Sequence, residues 1–180
     1  MKELSLNILD IAQNSVTAKA TRIEITVAET AERLTIRVAD NGCGMSQEFV
    51  ARVTDPFTTT RTTRKVGLGI PLLKMEAQMA GGDLTIQSEV GVGTTTSAWF
   101  DPRNIDMPPL GDLISTIITQ IQGSPDIDLI FTHSIGAESY TLDTGEIREI
   151  MGGISLAEPE ILHWLTDYLQ ENEAALRQEP

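Results

Sequence analysis

Apolar residues at Leu4, Leu6, Ile8, Leu9, Ile11, Ala12, Val16 and Ala20 recur at helical spacing and predict an amphipathic helix over residues 3–20. Arg22-Ile23-Glu24-Ile25-Thr26-Val27 then alternates polar with apolar, as a strand with one buried face does. Leu34–Asp40 repeats the alternation after a short turn. Ser46 is placed to cap a short helix running to Val53. Residues 54–66 keep no consistent period and read as a long loop. The helical period returns from Gly69 to about Ala80, where Gly81-Gly82 stops it. Asp83–Ser88 and Thr94–Phe100 predict two more strands, joined through Gly91-Val92-Gly93. This order of elements predicts helices layered on a mixed sheet, an α/β fold of two layers.

The tail has its own pattern. Leu113, Ile114, Ile117, Ile118 and Ile121 mark one face of a helix. Ile127–Phe131, Tyr140–Leu142 and Glu146–Ile150 read as short strands, the last two joined at Asp143-Thr144-Gly145. Pro159 to about Leu176 is a final helix, with Ile161, Leu162, Leu165, Tyr168 and Leu169 on its buried side. Pro-rich punctuation at 101–109 divides the chain into residues 1–103 and a small α+β module, residues 104–180. There is no internal repeat and no low-complexity segment.

Composition narrows the picture. The 180 residues, 41% hydrophobic and 22% charged, are enough for one good core and ordinary for a globular protein. A single cysteine, Cys43, excludes a disulfide framework and a Cys-built metal centre. No apolar run reaches spanning length and the start lacks a signal peptide's apolar core, so a soluble, cytoplasmic protein is expected. The net charge of −13 argues against nucleic acid and anionic membranes as partners. That charge is uneven: 11 basic residues face 12 acidic ones up to Arg103, and 2 face 14 beyond it. Between Pro56 and Met75 there is no acid, while Arg61, Arg64, Lys65 and Lys74 are basic and threonines crowd beside them. The acidic tail suits a basic partner surface.

Three glycine-bearing clusters carry candidate chemistry. Asp40-Asn41-Gly42-Cys43-Gly44-Met45 directly follows a strand. A carboxylate there can accept a hydrogen bond from an exocyclic amine, and two glycines let a planar ring approach the backbone. Val66-Gly67-Leu68-Gly69-Ile70 leads a loop into a helix, where free N–H groups and the helix dipole form an anion site. Gly91-Val92-Gly93-Thr94 opens the last strand of the first part. Singly, each is an ordinary tight turn. On the first helix Asp10 and Asn14 are four apart and share a face, suiting a general base and an oxygen ligand for Mg²⁺. An isolated pair of this kind is more often a solvated face, but Asn14 is a weak helix former.

Taken together, these residues resemble the GHKL ATPases: gyrase, Hsp90-type chaperones, histidine kinases and MutL-type repair proteins. The resemblance covers about residues 3–100. Asp10-Ile11-Ala12-Gln13-Asn14-Ser15 looks like the N box, and Asp40–Gly44, Gly67–Gly69 and Gly91–Thr94 like the three glycine boxes. Asp55-Pro56-Phe57-Thr58-Thr59 and the stretch from Gly67 to Phe100 are nearer to histidine kinases; Asn14-Ser15 and Ala20-Thr21-Arg22-Ile23 are nearer to MutL. The resemblance implies a Bergerat α/β sandwich holding ATP and Mg²⁺. It gives Asp40 the adenine amino group, Gly42 and Gly44 the approach of the ring, and Asn14 the Mg²⁺. Gly67, Leu68 and Gly69 would offer N–H groups to the phosphates, and Thr94 or Thr95 would border the adenine. Pro56–Val66 would be a lid, bringing Thr58, Arg61, Arg64 and Lys65 to the triphosphate.

The family pattern is not followed throughout. Position 10 is Asp, where hydrolysing members usually carry Glu, so its role as base needs a closer helix or an extra water. No phospho-acceptor helix precedes the N box, and His133 and His163 read as core or surface histidines. Cys43 reads as a small side chain under the site, Trp99 and Trp164 as core or packing residues, and Glu171, Glu173 and Glu179 as a solvated, fraying helix end. The expectation is a signalling kinase or kinase-like regulator that phosphorylates a separate protein. The alternatives are an ATP-driven switch with slow hydrolysis, as in MutL or gyrase, and a nucleotide-binding module without turnover. A homodimer stays open.

Overall fold

A computed structural model describes residues 3–55 and 69–178. In chain order the elements are α1 (Leu4–Thr17), β1 (Arg22–Glu29), β2 (Leu34–Asp40), α2 (Gln47–Val53), α3 (Gly69–Met79), β3 (Asp83–Glu89) and β4 (Gly93–Phe100). There follow α4 (Leu113–Gly123), β5 (Asp128–Ile135), β6 (Glu138–Asp143), α5 (Thr144–Met151) and α6 (Pro159–Arg177). The strands form one sheet in the order β3-β4-β2-β1-β5-β6. Neighbours are antiparallel except β1 and β5, which run parallel from Arg22 opposite Asp128 to Glu29 opposite Ile135.

The alternation read from the sequence decides which face is covered. Ile23, Ile25 and Val27 of β1 are buried, and the parallel register sets Leu129, Phe131 and His133 of β5 beside them. Ile36 and Val38 of β2 and Ala98 and Phe100 of β4 continue that face. α3, α1, α4 and α6 pack across it through Leu73, Ile8, Ile117 and Leu165. The opposite face, with Thr26, Arg37 and Thr85, is open to water. The architecture is therefore a two-layer α/β sandwich. The boundary expected after residue 103 falls in the connection from β4 to α4, and strands from both sides of it share the sheet.

Two readings of the tail change. Residues 146–150 are helical, in α5, where a strand was expected. Asp143 does not turn a hairpin; its carboxylate accepts from Gly145 N (2.9 Å) and Glu146 N (3.3 Å) and starts a helix, which Gly152 ends at φ 62°. Glu173 is mostly buried and does not belong to a solvated, fraying end. Its Oε2 lies 2.5 Å from His133 Nδ1 and accepts from Tyr140 Oη at 2.8 Å. On the other side His133 Nε2 lies 2.5 Å from Glu29 Oε2, which also accepts from Arg177 Nη2. The imidazole is wholly buried, so this cluster pins α6 to β1, β5 and β6. Burial alone would lower the His133 pKa, but the two carboxylates outweigh it and hold the ring above its ordinary range. Burial would equally raise Glu29 and Glu173, and their hydrogen bonds from His133, with Arg177 or Tyr140, bring both below the usual carboxylate range. His163, by contrast, is exposed beside Asp167. No helix among the described residues is long and apolar enough to cross a membrane.

Candidate functional site

A cavity of about 240 Å³ opens between α1, α2, the end of β2 and the start of β4. Its polar side is built around Asp40, the last residue of β2. Asp40 Oδ2 accepts from Ser15 Oγ at 2.6 Å, and Oδ1 accepts from Gly42 N at 2.8 Å. Ser15 is buried on the inner face of α1, so the carboxylate is fixed by a helix on one side and its own loop on the other. Each carboxylate oxygen keeps lone-pair capacity for a further donor. Thr94 stands opposite Asp40 across the β2–β4 pair, and Thr94 and Thr96 line the cavity. Thr95, one residue out of phase, faces the other side of the sheet. The cavity's remaining walls are largely apolar: Ile11, Met45, Phe49, Val53 and Ile70.

Backbone contacts clamp the glycine loop. Cys43 N donates to Ala18 O (2.9 Å), Gly91 N to Cys43 O (2.7 Å) and Met45 N to Ser88 Oγ (2.8 Å). Ser88 Oγ is in turn 2.7 Å from Thr94 Oγ1. Gly44 has φ +72°, and a Cβ there would lie 2.0 Å from Glu89 O. Gly93, at φ +143°, would clash equally with Asp40 O. These glycines are required by close passage of one strand end over another. Cys43 lines the mouth of this cavity and is exposed, where a side chain under the site was expected.

Asn14 lines the same cavity from α1. Asp10, one turn earlier, abuts the first turn of α3: a Cβ on Gly69 would lie 3.4 Å from Asp10 Cβ. Asn7 extends this stripe of α1. It is buried and donates from Nδ2 to Glu76 Oε2 of α3 at 3.1 Å, while its Oδ1 has no partner among the described residues. The first turn of α3 thus lies against the Asp10 side chain. The fit to a nucleotide–Mg²⁺ complex rests on this donor set: a fixed carboxylate at the base of an apolar slot, and an amide oxygen beside a helix N-terminus, hard ligands of the kind Mg²⁺ prefers. Thr58, Arg61, Arg64, Lys65, Gly67 and Leu68 lie outside the described residues. Asn14, Asp40, Gly44 and Thr94 line one cavity; Gly42 lies against Ala18 and Asp40, and Asp10 and Gly69 lie against each other, outside that lining.

Sequence reasoning missed Ser15 and Thr96 as parts of the site. Ser15 sits one residue past Asn14 on the helix, and only the strand-end position of Asp40 shows what its hydroxyl is for. Thr96 was hidden by a threonine run that gives no sign of which member faces inward.

The family described as histidine kinase-, DNA gyrase B- and HSP90-like ATPase matches residues 1–104. The chain belongs to this family. Among its relatives, the histidine protein kinase DivJ of Caulobacter vibrioides is 33% identical over 101 residues, 54% of this chain and 17% of that protein. Sporulation kinase C of Bacillus subtilis is 33% identical over 96 residues, 52% of this chain and 22% of that protein. The chain therefore spans less than a quarter of the length of these two kinases. A crystal structure of the N-terminal domain of a DNA repair protein shares the fold, with a TM-score of 0.56 at 15% identity, over 79% of this chain and 53% of the other. That likeness extends beyond the 104 residues of the family match.

Proposed function

We propose that this protein binds ATP with Mg²⁺ in the Asp40 cleft and acts as a cytoplasmic signalling kinase or kinase-like regulator toward a separate protein. The observation that carries the reading is the doubly held Asp40 carboxylate at the base of an apolar slot, in a chain whose relatives include histidine kinases. In this reading Asp40 accepts the exocyclic amine of adenine, Gly42 and Gly44 let the ring approach, and Thr94 borders it. Asn14 supplies an oxygen to Mg²⁺, which screens phosphate charge when bound. Gly69, at the head of α3, offers its N–H toward the phosphates, together with Gly67 and Leu68. Thr58, Arg61, Arg64 and Lys65 belong to the segment that would close over them. Asp10 accepts a proton from the attacking group. Residues 104–180 form an accessory module in this scheme.

A second reading, an ATP-driven switch with slow hydrolysis, is favoured by the structural likeness to the DNA repair protein's N-terminal domain and by the seating of Asp10 against α3. Incubation with γ-labelled ATP separates the two, using the protein and its Asp10→Asn variant, with and without candidate partner proteins. Label on a partner supports the kinase. Free phosphate that disappears in the variant supports the switch. Neither label nor phosphate, with ATP still bound, refutes both and leaves a binding module.

A further inference from the structure

Several of the tail's acids are committed and several are not. Asp112 and Asp143 cap helices, Asp128 binds Arg148, and Glu173 binds His133. Glu146, Glu149, Glu158 and Glu160 are exposed and enter no ion pair among the described residues. The module also has no spare cation of the strong kind. Beyond Arg103 the chain contains no lysine and two arginines. Arg148 is committed to Asp128 and to the carbonyls of Pro125 and Ile127, and Arg177 to Glu29.

The same segments carry exposed apolar side chains. Ile150 at the end of α5 is 82% exposed, Ile154 50% and Trp164 48%. Of the two readings for Trp164, core or packing, core is excluded: it lies beside the buried Leu165 and Leu169 of α6, not among them. Its ring stacks on Tyr168, with centroids 5.7 Å apart and planes at 26°. Tyr168 Oη donates to Thr141 O of the edge strand β6 (3.3 Å), which holds that stack in place. One turn before Trp164, Ile161 forms the wall of an open groove of about 740 Å³ with Ile154 and Pro159, and Glu158 and Glu160 stand on its rim. The groove is preformed: Leu156 anchors its loop in the core, and Ser155 closes a turn through Ala157 N and Glu158 N.

We infer that this groove, lined by Ile154, Pro159 and Ile161 and continued one turn further along α6 by the exposed Trp164, is a docking site for a basic amphipathic helix of a partner protein. Charge selects the occupant. Nucleic acid and anionic lipid are repelled by the acidic rim, and a second copy of the same face would set like charges against each other. A helix with an apolar stripe flanked by Lys or Arg fills the groove and meets Glu158 and Glu160. An exposed tryptophan beside a preformed groove is a common anchor of such contacts. This inference does not depend on what the nucleotide cleft does.

The test uses the full chain and a fluorescein-labelled 18-residue Leu/Lys amphipathic helical peptide, with a Leu/Glu peptide of the same apolar face as control. The Leu/Lys peptide binds by anisotropy, weakens steeply with salt and shifts the tryptophan emission to the blue. Trp164→Ala and the double variant Glu158→Lys/Glu160→Lys each weaken it at least tenfold. Ile154→Ser, a change in an exposed loop, weakens it with an unchanged melting temperature. Ile105→Ala, 96% exposed and outside the groove, leaves binding as it was. Equal binding of the Leu/Glu peptide, binding that ignores the groove variants, or no binding of either peptide overturns the proposal. So does concentration-dependent dimerisation of the protein that Trp164→Ala abolishes.

Discussion

Replacing His133 by Leu removes the two N–H groups that hold Glu29 and Glu173, while roughly keeping the volume of the ring. The carboxylates then face one another across an apolar side chain, with Arg177 still on Glu29. Charge-assisted hydrogen bonds contribute about 1.5–3 kcal/mol each, and breaking a buried ion pair costs about 3–5 kcal/mol. Both carboxylates keep some access to water, with side-chain exposures of 23% and 16%, which favours the lower end, about 3 kcal/mol. For a chain of this size that is a fall in Tm of about 6–12 °C. The cluster also sets a pH profile. His133, with its pKa raised, contributes fully below its unfolded value of about 6.5 and loses that contribution as pH rises through its folded pKa. Glu29 and Glu173, with theirs lowered, contribute above about 4.5 and lose it as pH falls through the folded values. All three act together between about pH 4.5 and 6.5. Urea unfolding from pH 4 to 9, compared between wild type and His133→Leu, reads the difference directly. A variant whose loss of stability is below 1 kcal/mol, or is the same at pH 5.5 and pH 9, refutes this account of how α6 is held.

Two further perturbations follow from the geometry. Ser15→Ala removes the hydroxyl that fixes Asp40 Oδ2 and is expected to weaken ATP binding about tenfold, measured by titration calorimetry, with little change in fold. Asp143→Ala deletes the N-cap of α5 and should cost about 1 kcal/mol in urea unfolding while leaving nucleotide affinity unchanged.

Much of the fold was legible because the strands are half-buried. Period-two alternation in Arg22–Val27 and Leu34–Asp40 reports one covered face, and the four core helices write their apolar stripes plainly. α5 was not legible. Asp-Thr-Gly is as good a hairpin turn as a helix cap, and the short segment after it exposes Ile150, so burial leaves little periodic signal. The parallel pairing of β5 with β1 was equally hidden, since register depends on which strands meet and the local pattern does not record that. At the site, Asp40 and its glycines stood out because close backbone passage demands residues without a Cβ. Ser15 and the His133 cluster did not, because their carboxylate partners lie 25 residues away for Ser15 and 40 and 104 for His133.

The central claim, that the cleft beside Asp40 holds ATP, is tested most directly by titrating ATP into wild type and Asp40→Asn in the presence of Mg²⁺. A hydrogen bond from the adenine amine to a buried carboxylate contributes about 1.5–3 kcal/mol. The account therefore predicts that Kd rises by an order of magnitude or more in a variant with wild-type circular dichroism. An unchanged Kd in that folded variant contradicts it.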